Sequence, residues 1–148
     1  MIRKAVSGDE AAIRACAENA YARYVSAIGR KPAPMVADFA TQIAMGQVYV
    51  AVDEGDDLEG FIVFFLKGDH MFLENVAVLP SASGRGIGRL LIQFCEDQSR
   101  HLRIGAVHLY TNEKMTDNLS IYPRLGYVET GRRTEDGFNR VFFEKHLN

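Results

Sequence analysis

The chain has 148 residues, a net charge of −2 from 17 Lys and Arg against 19 Asp and Glu, and a composition that is 47% hydrophobic. These values exclude a disordered tail, a collagen-like rod and a coiled coil, and the length suits one domain over residues 1–148 with a core that needs no metal or disulfide staple. The balanced charge leaves no broad basic field to hold nucleic acid by phosphate neutralisation.

In chain order, residues 1–6 read as a short strand, and Ser7-Gly8-Asp9-Glu10 reads as a helix start. Ile13, Cys16, Ala17, Ala20, Tyr24 and Ile28 recur at helical spacing, which predicts an amphipathic helix over 9–28 stopped by Gly29. Lys31-Pro32-Ala33-Pro34 is a loop, because each proline disfavours helix in the residue before it. A second, shorter helix is predicted from Val36 to Met45, ending at Gly46. Val48, Val50 and Val52 alternate with Tyr49 and Ala51 as a strand. A turn at Glu54-Gly55-Asp56-Asp57 leads to Phe61–Leu66, a continuous apolar run that suits a central strand covered on both faces. Gly68-Asp69 turns the chain into a third strand, His70 to Leu79. Residues 87–102 follow a 3.6 period as a helix, and Ala106–Thr111 is a strand. A short helix lies around Asp117–Leu125. Gly126-Tyr127-Val128 and Val141-Phe142-Phe143 are the last strands, turning near Asp136-Gly137. The order β, α, α, β, β, β, α, β, α, β, β predicts a mixed sheet with helices on both faces, an α/β (α+β) fold.

Cys16 and Cys95 fall in no metal-binding or disulfide spacing and sit on apolar helix faces as buried structural thiols. The acidic pair Asp9-Glu10 arrives too soon for a signal peptide, and the longest apolar run is far short of a membrane span. The expectation is a cytoplasmic protein with no membrane and no nucleic-acid partner.

The glycines carry the first chemical signal. Ser83-Gly84-Arg85-Gly86-Ile87-Gly88 lies between a strand and an amphipathic helix, where glycines adopt φ > 0 and let backbone N–H groups approach a ligand. The helix opening at Ile87 adds unsatisfied N–H donors and a positive dipole end, so the segment forms a phosphate cradle. No Lys-Ser/Thr follows, which excludes the mononucleotide triphosphate loop. Arg89 stands where the dinucleotide pattern needs its last glycine, and no acidic ribose partner is evident.

At these residues the chain resembles the GNAT family of N-acetyltransferases, whose acetyl-coenzyme A loop reads Arg/Gln-x-x-Gly-x-Gly/Ala after a strand ending in a short valine run. Gly86 and Gly88 match its glycines, and Val76-Ala77-Val78 matches the strand. Ser83 stands at the first position in place of Arg or Gln, and Arg85 is a candidate to replace that contact. Asn118-Leu119-Ser120-Ile121-Tyr122-Pro123-Arg124-Leu125-Gly126-Tyr127 is similar to the second family signature, Asn…Tyr-x-x-x-Gly-Phe, with Tyr127 for Phe. Pro123 departs from it: inside a helix it removes one N–H and clashes with the carbonyl of Leu119, which predicts a kinked or very short helix.

The resemblance covers nearly the whole chain. It implies a mostly antiparallel sheet of about seven strands in which two central parallel strands splay to form the acyl-coenzyme A cleft. It implies acetyl-coenzyme A as co-substrate and no metal. The cofactor would be held by Val76, Ala77 and Val78, by the backbone of Ser83, Gly84, Arg85, Gly86, Ile87, Gly88 and Arg89, and by Asn118, with Asn112 competing for the same role. Tyr122 matches the tyrosine near the coenzyme A sulfur, where a phenol can protonate the leaving thiolate. Family members often dimerise, so a homodimer is within the expectation.

Within the strand Met71–Leu79, simple alternation places Glu74, Val76 and Val78 on one face. A carboxylate in an apolar strand tends towards a raised pKa. An alkylammonium must lose a proton before it attacks a thioester, and lysine-like amines titrate near ~10.4. Glu74 is the candidate base, acting directly or through water, at a place where the resembling family often carries one; its alternative role is to bind a cationic substrate or cap the sheet. Tyr21, Tyr24 and Met35 lie in the region that commonly walls the acceptor site in this family. His108 is either a pocket residue or a satisfied structural histidine, and His70 a surface residue at a turn.

The resulting expectation is direct transfer of an acetyl group in a ternary complex to a primary amine of a small-molecule or amino-acid-like acceptor. Acetylation of a peptide or protein amine stays open. So do a non-catalytic acyl-coenzyme A-binding module and a phosphate-ligand binder on another α/β fold; the last accounts for the glycine loop but not for Asn118–Tyr127.

Overall fold

The computed structural model describes residues 1–148. Seven strands form one sheet: β1 (Ile2–Lys4), β2 (Val48–Val52), β3 (Leu58–Lys67), β4 (His70–Val78), β5 (Ala106–Asn112), β6 (Val128–Glu135) and β7 (Phe138–His146). Their spatial order is β1-β2-β3-β4-β5-β7-β6. Every neighbouring pair is antiparallel except β4 and β5. The mixed, mostly antiparallel sheet with helices on both faces is the expected architecture.

Five helices flank the sheet: α1 (Glu10–Tyr21), α2 (Val25–Ile28), α3 (Phe39–Ala44), α4 (Ile87–His101) and α5 (Thr116–Arg124). On one face α1 and α3 pack Ile13, Cys16, Ala17 and Phe39 against Val48, Val50, Phe61 and Val63. On the other, α4 and α5 pack Leu91, Cys95 and Tyr122 against Ile62, Phe64, Leu109 and Val141. Phe61–Phe64 are all buried, Phe61 and Val63 in one cluster and Ile62 and Phe64 in the other. That is why the middle of β3 reads as an unbroken apolar run.

Three boundaries differ from the sequence expectation. The predicted helix 9–28 is broken: α1 ends at Tyr21, one 3₁₀ turn covers Ala22–Tyr24, and α2 follows until Gly29 at φ +91°. Three residues per 3₁₀ turn place Tyr21 and Tyr24 one above the other, both buried. The predicted helix Val36–Met45 starts only at Phe39, because Asp38 takes the N-cap position and accepts the Thr41 N–H at 3.2 Å; Ala33–Met35 form a 3₁₀ turn. The last two strands are longer than predicted, since exposed, charged β6 carries no apolar alternation.

Pro123 falls in the last turn of the nine-residue α5, where few carbonyls still seek a helical partner. The Tyr122 carbonyl instead takes N–H groups from Leu125 and Tyr127, both at 3.0 Å. The helix closes one residue beyond the proline, at Arg124.

Candidate active site

The site is built where β4 and β5 part. Their parallel ladder consists of Met71↔Val107 and Phe72↔His108 alone. Beyond Phe72 the strands separate, and the backbone of β4 past that point is free of β5. A bulge in β4 lies at the same place. Val63 and Phe64 are consecutive on β3 but pair with Asn75 and Leu73, so Glu74 is the extra residue. The bulge overturns simple alternation. Glu74 accepts a hydrogen bond from Gln42 Nε2 on α3, while Val76 and Val78 pack with the α4 cluster on the opposite face. Glu74 and Val76 thus face opposite sides of the sheet, and the consecutive polar pair Glu74-Asn75 was the sequence signal for it.

Two cavities meet at this fork. The first, of about 270 Å³, is bounded by Pro32–Pro34 and Asp38 before α3, by Gln42, by Glu74 and Asn75 of β4, by Tyr110–Asn112 of β5, and by Phe138 and Arg140 of β7. The second, of about 670 Å³, runs between Val76–Val78 and α5 to Ser83, Gly88 and Arg89 at the start of α4. Tyr21, Val76, Asn118 and Tyr122 line both.

The second cavity contains most residues assigned to the cofactor. Val76, Ala77, Val78, Ser83, Gly88, Arg89 and Asn118 all line it. Gly84 and Gly86 have φ of +80° and +76°, and a Cβ at either would meet nothing within 4 Å, so the loop backbone lies open. Gly86 is the N-cap of α4 and supplies no side-chain cap. The first N–H groups of this 15-residue helix are therefore left for a ligand. An open glycine backbone and an uncapped helix end suit a pyrophosphate. Arg85 pairs with Glu59 at 2.5 Å, and the Ile87 side chain is buried in the α4 core; both belong to the loop without lining the cavity. Asn118 donates to Thr111 Oγ1 at 3.0 Å, which ties α5 to the end of β5. Asn112 lines the first cavity, not the second, and its Oδ1 accepts the Lys114 N–H at 2.9 Å.

Tyr122 stands between the cavities, buried against Tyr127 and Phe143 with ring centroids 5.7 and 5.8 Å away. Burial, then nearby Cys95, raises its phenol above the ordinary tyrosine value, so the proton is held at neutral pH and is available to donate. Tyr21 is fixed across the sheet: its hydroxyl lies 2.8 Å from Asn75 Oδ1 and 2.9 Å from the Val76 carbonyl. Asn75 Nδ2 donates to the Pro34 carbonyl at 3.0 Å, so α1, β4 and the loop before α3 are joined by one buried amide.

The remaining candidates separate. Tyr24 lines the second cavity, not the first. Its buried hydroxyl has no hydrogen-bond partner, and burial raises its pKa. Met35 is packed in the α1 core and lines neither cavity. His108 stacks on His70 at 3.7 Å where β4 and β5 are paired, with Glu144 at 3.4 Å, away from both cavities. His70 is therefore stacked and not a free surface side chain. Both cysteines are buried, and burial pushes the Cys16 thiol up to about 12 and Cys95 higher still, which suits inert packing.

Sequence reasoning missed Gln42, Asn75, Tyr110 and Arg140. Gln42 was hidden as one polar residue in a predicted helix. Arg140 stacks its guanidinium 4.3 Å from the Tyr110 ring and pairs with Glu135 at 3.1 Å. Arg30 covers the Phe138 ring at 3.7 Å and donates to the Asp136 carbonyl, so the segment before α3 is latched to the β6–β7 turn above the first cavity. No group of three or more His, Cys, Asp or Glu side chains is arranged to hold a metal ion, and no helix is long and apolar enough to cross a membrane.

Comparison with known proteins agrees with this geometry. The chain is 29% identical over 110 residues to the peptidyl-lysine N-acetyltransferase YjaB of Salmonella typhimurium, covering 73% of this chain and 66% of that protein. It is 28% identical over 90 residues to the streptothricin acetyltransferase of Streptomyces lavendulae, covering 60% of this chain and 48% of that protein. The matched segments thus span just under two thirds and about half of these relatives. Among solved structures, the PaiA N-acetyltransferase of Thermoplasma acidophilum in complex with coenzyme A superposes with a TM-score of 0.79 at 17% identity, over 99% of this chain and 98% of that one. The ribosomal-protein-S18-alanine N-acetyltransferase of Escherichia coli gives 0.77 at 18% identity, over 100% and 94%. These two likenesses are of fold. The family model described as an acetyltransferase (GNAT) domain matches residues 44–129, from the end of α3 into β6 and including the fork and the glycine loop, and the chain belongs to the GNAT acetyltransferase family.

Proposed function

We propose that the protein transfers an acetyl group from acetyl-coenzyme A to a primary amine of a small-molecule acceptor, by direct attack in a ternary complex. The observation that carries this reading is the meeting of two cavities on Tyr122, Asn118, Val76 and Tyr21 at the β4–β5 fork. One cavity ends at a phosphate cradle and the other holds a carboxylate, so a thioester and an amine entering from the two sides would meet there. Family membership supports acetyl transfer, and the two curated relatives are named for acetylating a peptidyl lysine and streptothricin.

The roles follow from position. The backbone of Ser83–Arg89 holds the pyrophosphate, and Val76–Val78 and Asn118 hold the pantetheine arm. A free backbone N–H near Val76 polarises the thioester carbonyl and stabilises the oxyanion of the tetrahedral intermediate. Glu74 takes the proton released by the amine, directly or through water, and Tyr122 gives a proton to the sulfur. The new bond is nitrogen to carbonyl carbon, and the bond broken is carbon to sulfur. The products are an acetamide and the free thiol, with one proton released per ammonium consumed. Holding both substrates at the fork supplies much of the acceleration.

The acceptor side favours a small molecule over a peptide. The first cavity is about 270 Å³ and is bounded on one side by the Pro32–Pro34 segment, which follows the contact of Arg30 with the β6–β7 turn; that size suits a compact acceptor. Calorimetry with coenzyme A, followed by thiol release against a panel of amines and corrected for thioester hydrolysis, tests the proposal. Binding with turnover of small primary amines is expected. Absence of coenzyme A binding would overturn it, and binding without any productive acceptor would leave an acyl-coenzyme A sensor in its place.

A further inference from the structure

Arg140 is the only cationic residue lining the first cavity, where it shares the wall with Glu74 and Tyr110. Val141 and Phe143 of β7 pack into the α4 cluster, as does Leu109 of β5. Alternation therefore turns Arg140 and Tyr110 to the opposite face, where Glu74 meets α3. The Arg140 guanidinium carbon lies 4.3 Å from the centroid of the Tyr110 ring and 5.8 Å from that of Phe138, which also lines the cavity. Its hydrogen bond within the chain runs from Nη1 to Glu135 Oε1 at 3.1 Å. The fork formed by Nε and Nη2 makes none, yet neither nitrogen is among the buried polar atoms left without a partner, so both are open to solvent. Glu135 and Asp136 do not fill that fork: they sit on the β6–β7 turn with side chains 40% and 84% exposed, where water screens their charge. Burial raises the Tyr110 phenol; of the charges that then act on it, Arg140 lowers its value and Glu74 raises it, so both groups reach the same end of this ring.

We infer that Arg140 selects an acceptor that carries a carboxylate besides its amine, the carboxylate resting on the Nε–Nη2 fork and the amine directed towards Glu74. The inference rests on the acetyl-transfer reading above and names the substrate class of that same site, an amino acid. A guanidinium fork is planar and presents two parallel N–H donors, which match the two oxygens of a carboxylate. Stacking on Tyr110 fixes the plane of the fork before the substrate arrives, so little side-chain freedom is lost on binding. A zwitterion brings one opposite charge to each end of this wall. A neutral amide in place of the carboxylate would strip water from the guanidinium and return a weaker hydrogen bond. A site built around a polar group rejects an analogue that lacks the partner more strongly than an apolar pocket rejects a change in size.

The test measures kcat/KM for the protein amino acids and β-alanine, each beside its own carboxamide, in the wild type and in Arg140→Gln. In the wild type the carboxylate form should be preferred by about tenfold or more, chiefly through KM. In Arg140→Gln the ratio should fall to within about threefold, with the loss concentrated on the amino acid. A wild-type ratio near one, or turnover confined to amines without a carboxylate, overturns the inference without recourse to any variant. A preference that persists in Arg140→Gln also overturns it. So does an equal loss on both forms, since a residue that only braces the β6–β7 turn would leave the ratio intact. Failure of the parent reading looks different: the wild type would turn over neither amino acids nor carboxamides nor simple amines.

Discussion

The Tyr21 hydroxyl lies 2.8 Å from Asn75 Oδ1 and 2.9 Å from the Val76 carbonyl, spanning 54 and 55 positions of sequence to hold α1 against β4 just past the bulge. One phenol therefore fixes two consecutive residues of the strand that forms the cleft, and the Asn75 amide passes the constraint on to Pro34. Tyr21→Phe should keep the ring packing and remove both contacts. Because Asn75 is only 3% exposed, its oxygen loses a partner where water cannot easily replace it. The expected loss is about 1–3 kcal/mol, read from the midpoint of urea unfolding. Since the freed strand lines both cavities, the KM values of both substrates should rise as well.

Tyr122→Phe and Glu74→Gln test the two proton transfers separately. Each should lower kcat by roughly 10²–10⁴-fold if it removes a general acid or base. Raising the pH separates them: deprotonating the amine itself removes the need for a base, so part of the Glu74→Gln loss should be recovered at high pH, and Tyr122→Phe should show no such recovery. A Tyr122→Phe enzyme with full turnover would remove the acid assignment, and an unchanged rate and profile in Glu74→Gln would remove the base.

The stacked pair His70 and His108 should make stability fall with acid. Burial first, and the neighbouring His70 second, hold the His108 imidazole below its ordinary value, with Glu144 and Asp69 opposing and His146 adding to the depression. The unfolded chain, with an ordinary imidazole near ~6.5, then binds more protons than the folded one between the two values. Stability rises with pH through that window and is lost as pH falls through the lower folded value. The melting temperature should decline as pH is lowered from about 7, and His108→Phe, which keeps a stacking ring without a charge, should flatten the decline. A decline of unchanged steepness in the variant would place its origin elsewhere.

Glu96 joins α4 to the end of the chain. Its carboxylate accepts from the Tyr127 hydroxyl and from Lys145 Nζ, each at 2.9 Å, and Lys145 also reaches the Leu125 carbonyl at 2.8 Å. Glu96 is 5% exposed. Glu96→Ala should destabilise the protein by about 3 kcal/mol, because it leaves an ammonium and a phenol partly buried without their shared partner. Tyr127 packs on Tyr122, so a smaller loss of kcat should accompany the lower melting temperature.

Much of the fold could be read from residue pattern, because period 2 and period 3.6 are local consequences of burying one face of a strand or helix. The alternating valines of β2, the apolar run of β3 and the α4 face built from Ile87, Leu91 and Cys95 all lie where their spacing put them. The glycine loop was legible for the same reason: positive φ and an uncapped helix end are properties of a short segment. The break at Tyr21–Tyr24 was not legible, since 3.6 and 3.0 residues per turn differ too little over one turn to be separated by spacing.

The amino-acid sequence by itself determined the order of elements, the phosphate cradle at Ser83–Arg89 and the presence of a tyrosine and a carboxylate suited to proton transfer. Only the tertiary structure decided what those groups face. The bulge at Glu74 turns its side chain towards α3 and away from Val76, because one extra residue reverses alternation at a point set by pairing with β3. The partners Gln42, Tyr110 and Arg140 come from three elements far apart in the chain. Their convergence depends on where β4 and β5 stop pairing, and that is fixed by packing across the whole sheet, which no local pattern records.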